Sequence, residues 1–159
     1  MSSALSVLLR VKALKEKEAM REASAKREAA AKAARAAEEA ATKVRESEAT
    51  LNSREDAIYE RIMRKAVDLD AIEETKARVL ELEKEHGKLV DTRERAVHVK
   101  ARVDGELESA RAAHRKCVRD CDKYVLLTEE ETKQREETVL NKEETEIEDL
   151  FSTRRRGLS

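Results

Sequence analysis

The chain has 159 residues, of which 43% are charged, none is proline, and only Tyr59, Tyr124 and Phe151 are aromatic. This excludes a conventional globular core, because aromatic and branched side chains supply most of the burial that offsets conformational entropy, and here the apolar quota is largely alanine. A formal net charge of −1 gives the molecule as a whole no electrostatic reason to seek nucleic acid or anionic lipid, and no apolar run approaches the roughly 20 residues that span a bilayer.

High charge can also mean disorder, but disordered chains are rich in Pro, Gly and Ser and lack helical periodicity. This one is rich in Ala, Glu, Lys, Arg and Leu, the strongest helix formers. Near the start, the apolar run Val7 to Leu9 is too short, and too soon interrupted by Arg10 and Lys12, to be a signal peptide, so the expected location is the cytosol.

The first predicted helix covers about 3–65. Its seventh-residue row reads Leu9, Glu16, Ala23, Ala30, Ala37, Val44, Leu51 and Ile58, with Met20, Ala34, Ala41 and Ile62 as an expected companion row. Twelve alanines between Ala19 and Ala41 make poor hydrophobic anchors but let two helix backbones approach closely. Glu22 with Lys26, Glu28 with Lys32 and Glu39 with Lys43 have the i,i+4 spacing of helix-stabilising pairs.

A turn is expected at about 64–70. There Lys65 to Asp70 breaks both heptad registers and carries two helix-start signals: Asp70 with Glu73 at capping-box spacing, and Asp68 as a cap with Val67 and Ile72 at the staple positions. Gly87 is the rival bend, but a lone glycine inside a helix costs only about 1 kcal/mol and the Leu82 to Leu89 step runs across it.

The second helix is expected over about 71–151, followed by a short basic tail at 152–159. Its row Leu82, Leu89, Ala96, Val103, Ala110, Cys117 and Tyr124 is apolar throughout, flanked by Val79, His86, Leu107 and Cys121 on one side and by Val90 and Val97 on the other. Two helices with one narrow stripe each predict an all-α fold, a long antiparallel two-helix coiled-coil hairpin forming one domain and a monomer. At 1.5 Å per residue the first helix alone is on the order of 90 Å long.

Charge is unevenly spread. Between Met1 and Arg35 nine basic residues face four acids, a balance of +5, and between Glu129 and Asp149 ten acids face three bases, a balance of −7. Each helix so carries the wrong sign for its own macrodipole, and an antiparallel hairpin would let the two partly cancel. The alternative use of such a charged end is docking into a charged partner.

Nothing points to chemistry. His114, Cys117 and Cys121 fall on one face, but zinc sites need four ligands on converging elements, and free cysteine in a seam packs as a small hydrophobe. The two cysteines are one helical turn apart and are expected as reduced thiols. No phosphate loop or nucleophile elbow occurs, so neither cofactor, metal nor catalytic residue is predicted.

Three stretches, in order, resemble the YscO/FliJ family of type III secretion stalk proteins. They are Leu9-Arg10-Val11-Lys12-Ala13-Leu14-Lys15 followed by Glu18-Ala19, then Asp122-Lys123-Tyr124 with Leu127, then the acidic cluster Glu143-Glu144, Glu146 and Glu148-Asp149, which departs from an all-Glu pattern at Thr145, Ile147 and Asp149. The resemblance implies a non-enzymatic stalk in the bacterial cytoplasm at the cytoplasmic face of the apparatus, coupling a hexameric secretion ATPase to the export gate. Export chaperones are a further implied class of partner. Arg10, Lys12, Lys15, Lys123, Tyr124, Glu143, Glu144 and Glu146 are the expected ATPase-binding residues, and apolar Val67, Leu69 and Ile72 the expected contact for the cytoplasmic domain of the gate. Composition and periodicity alone leave a generic, self-associating cytosolic coiled-coil scaffold open.

Overall fold

The computed structural model describes residues 3–157. Two helices account for nearly all of them: α1, Ala4–Glu60, and α2, Leu69–Gly157. The Ser3 hydroxyl caps α1 by accepting the Ser6 amide at 3.1 Å, satisfying one of the donors that a helix start leaves unpaired. Asp68 does the same for α2, its carboxylate accepting the Ala71 amide at 3.0 Å. Asp68 is thus the working cap, with Val67 and Ile72 at the staple positions and the Asp70 carboxylate adding favourable charge in the first turn.

The bend lies slightly earlier than its sequence signals. α1 stops at Glu60 rather than Lys65: the amides of Ile62 and Met63 both return to the Tyr59 carbonyl at 3.1 Å, and Arg64 takes a left-handed φ of 65° that ends the helix. Glycine usually supplies this conformation at helix ends. At its far end α2 runs on through Gly157 instead of stopping at Phe151, since 152–156 contain no breaker and Arg154, Arg155 and Arg156 suit the negative end of the dipole.

The helices pack antiparallel, as partner numbers that fall along α2 while rising along α1 require: Lys26 pairs with Glu106 at 3.1 Å and Ser47 with His86 at 2.8 Å. By internal contacts the chain divides into two compact units, Ala23–Ala110, which holds the bend, and Met1–Glu22 with Arg111–Ser159.

In the unit Ala23–Ala110, α1 buries Ala30, Ala33, Ala40, Val44 and Ser47 against Val79, Leu82, Val103, Leu107 and Ala110. The expected main rows of both helices line this seam, and of the expected companion row of α1 Ala34, Ala41 and Ile62 are half-buried, whereas Met20 in the other unit is 56% exposed. The more deeply buried second row runs through Ala33, Ala40 and Ser47, with the half-buried Lys26 and Arg54 in the same register. Long charged side chains can lay their stems along a seam and keep their heads in water, so counting apolar residues misses them. Lys26 accordingly reaches across to Glu106 rather than back to Glu22.

Gly87 and Gly105 lie inside α2, and a methyl group added at either meets nothing within 4 Å. Each glycine therefore carries the entropic cost of its flexibility with no packing return. Gly87→Ala and Gly105→Ala should each stabilise the hairpin by about 0.5–1 kcal/mol, read as a raised urea midpoint. A lowered midpoint for Gly87→Ala would mean that the helix bends there.

Candidate functional site

The expected ATPase-binding residues fall in the unit Met1–Glu22 with Arg111–Ser159. Lys12 sits half-buried with its ammonium 5.5 Å from the centre of the Tyr124 ring, an attraction of a cation for the ring face. One turn further, Glu16 accepts a hydrogen bond from the buried Cys121 thiol. Arg10, Lys15 and Lys123 are exposed. The structure thus separates the expected basic collar: Arg10 and Lys15 are presented to solvent, while Lys12 is engaged in the seam.

Burial pushes the Cys121 thiol above its ordinary 9.0, and the hydrogen bond to Glu16, its negative charge and that of Asp122 push in the same direction. A folded-state pKa raised above the unfolded one contributes stability that is complete below pH 9.0 and is lost as pH rises through the folded value. Alkaline titration should therefore weaken this unit. Glu16→Gln should speed alkylation of Cys121 by iodoacetamide in the folded protein, because more thiolate is then present; an unchanged rate would remove Glu16 as a cause.

Beyond this contact region α2 stands alone. Glu131 is its last half-buried residue, and every residue from 132 to 157 is exposed. Glu143, Glu144 and Glu146 lie in this stretch, so the acidic cluster is not neutralised by the basic start of α1; α2, with 89 residues against 57, runs past it. The same stretch exposes Val139, Leu140, Ile147, Leu150 and Phe151. Their helical spacing is legible in the sequence but lies past Tyr124, where the main heptad row ends.

At the bend, Val67 is 38% and Leu69 70% exposed, whereas Ile72 is half-buried. Tyr59 and Met63 add exposed apolar surface that sequence reading assigned to helix 1 rather than to the tip. Among the described residues, no group of three or more His, Cys, Asp and Glu is placed to hold a metal ion, and no helix is long and apolar enough to cross a membrane. Surface depressions at Arg35 to Glu46, Leu126 to Glu137 and Ile147 to Arg154 are each lined by one helix alone.

Two helices joined by one bend, presenting exposed apolar and charged faces, define a coiled-coil hairpin whose working parts are surfaces. Comparison with protein families matches residues 5–153 to type III secretion protein YscO, and the chain belongs to that family. Comparisons with curated proteins and with solved structures returned no match.

Proposed function

We propose that this chain is the central stalk of a type III secretion apparatus, coupling the hexameric secretion ATPase to the cytoplasmic domain of the export gate. It acts at the cytoplasmic face of the apparatus, as a single copy, without catalysing a reaction and without entering the membrane. Family membership supplies the system. The observation that carries the assignment of the ATPase-binding end is the uncovered stretch 132–157, with its acidic cluster and apolar stripe, in the same unit as exposed Arg10, Lys15 and Lys123.

Arg10, Lys15, Lys123, Glu143, Glu144 and Glu146 meet charged groups of the ATPase, and Lys12 on Tyr124 holds the two helices together behind them. Coupling consists in favouring one conformation of the ATPase subunits over another through differential contact, the only way in which a bound partner can shift an equilibrium. Val67 and Leu69 face the gate, with Ile72 supporting the bend. Export chaperones are a further class of partner.

Co-purification of a hexameric secretion ATPase with the full chain tests the first half of this reading. For the second half, Val67→Ser with Leu69→Ser should abolish secretion while helicity and ATPase binding stay unchanged. Unimpaired secretion would remove the bend from gate contact.

A further inference from the structure

From Glu143 the uncovered end of α2 carries Glu143, Ile147, Leu150 and Arg154 at intervals of four, three and four, the spacing of successive seam positions in a coiled coil. At 100° per residue these four side chains fall within a narrow stripe, and Phe151 lies beside it. Ile147 is 53%, Leu150 70% and Phe151 62% exposed, so α1 covers none of them.

The stripe reads acid, apolar, apolar, base. Glu143 has Val139, Leu140, Glu146 and Ile147 at its three- and four-residue neighbours, and Arg154 has Leu150 and Phe151 behind it. Neither charge therefore has an opposite charge at the spacing that stabilises a helix internally, and neither takes part in an ion pair among the described residues.

The pattern becomes its own complement when reversed. An antiparallel second copy, with the two-fold axis passing between Ile147 and Leu150, sets Ile147 against the other copy's Leu150 and Glu143 against its Arg154, each twice by symmetry. A parallel copy sets Glu143 against Glu143 and Arg154 against Arg154, so like charges select the antiparallel arrangement. We infer that the uncovered end of α2 is a homodimerisation surface, in which the Glu143-Ile147-Leu150-Arg154 stripes of two copies pair antiparallel.

The contact is short and its charges are only partly dehydrated, which makes it weak and reversible. It covers part of the stretch assigned above to the ATPase, so the dimer is a form held off that partner and the single copy is the engaged form. The inference stands on the stripe itself and is testable without the ATPase.

Sedimentation equilibrium of the full chain, in reducing buffer, from low micromolar to several hundred micromolar decides it. The wild type should pass from monomer to dimer. Glu143→Arg alone and Arg154→Glu alone should each weaken association on the order of 10-fold or more, because two ion pairs become two like-charge contacts. The double variant Glu143→Arg/Arg154→Glu should recover it, and mixing the two single variants should give mixed dimers. Both substituted positions lie on exposed helix, and circular dichroism of the three variants checks that the fold is unchanged. A wild type that stays monomeric throughout overturns the inference, as do single variants that dimerise like the wild type or a double variant that fails to recover.

Discussion

Replacing Val44 by aspartate should cost about 4 kcal/mol of stability, because it places an unpaired carboxylate where water does not reach. Val44 is 0% exposed, the one large side chain among the described residues that the seam encloses fully. The other buried residues of α1 are Ala30, Ala33, Ala40 and Ser47, small side chains that contribute little burial, so this valine carries a disproportionate share of what α1 packs against α2 in the unit Ala23–Ala110. Urea unfolding followed by circular dichroism measures the loss. Met20→Asp, at a 56% exposed position, is the control and should change the midpoint little. Equal effects at the two sites would show that Val44 is not the anchor of the seam.

Ser47→Ala should cost about 1–3 kcal/mol although alanine is the better helix former, because it strands the His86 ring and removes one of the two bonds of Arg54. Ser47 is buried, and its hydroxyl oxygen accepts from the Arg54 guanidinium at 2.9 Å while lying 2.8 Å from His86 Nδ1. With one lone pair already engaged by Arg54, the hydroxyl proton is best placed on Nδ1, which makes His86 the tautomer protonated at Nε2. Arg54 keeps a 3.1 Å bond to the Ser47 carbonyl in the variant, whereas His86 loses its partner. In a double-mutant cycle Ser47→Ala and His86→Ala should be strongly non-additive, the second substitution costing less in the presence of the first. Strict additivity would mean that the hydrogen bond does not couple the helices.

The Ser47 cluster also shows where sequence reading ends. Apolar periodicity gave both main rows, the antiparallel pairing and the neighbourhood of the bend, since Leu82 through Tyr124 has no interruption and Asp68 carries a cap signal. It did not give the more deeply buried second row of α1 through Ala33, Ala40 and Ser47, because Lys26, Ser47 and Arg54 in that register are polar and enter the seam through hydrogen bonds, an ion pair and aliphatic stems. The end of α1 was equally hidden: an arginine in left-handed conformation leaves no glycine to read. Of the expected binding residues, Arg10 and Lys15 are exposed and Lys12 is stacked on Tyr124, a distinction that rests on azimuth around the helix rather than on residue type.

That distinction makes the stalk reading testable with little disturbance of the fold. Arg10→Glu with Lys15→Glu reverses two exposed charges near the start of α1, where acids suit the helix dipole, and leaves the Lys12 contact in place. Exposed charges contribute little to folding but, facing a complementary ring, can dominate association and its salt dependence. The decisive measurement is ATP hydrolysis by the purified secretion ATPase, titrated with wild type and with this variant at low and high ionic strength. The stalk reading predicts that the wild type binds the ATPase and stimulates hydrolysis, and that the variant is impaired most at low salt; a wild-type chain that neither binds nor stimulates at either ionic strength would contradict it.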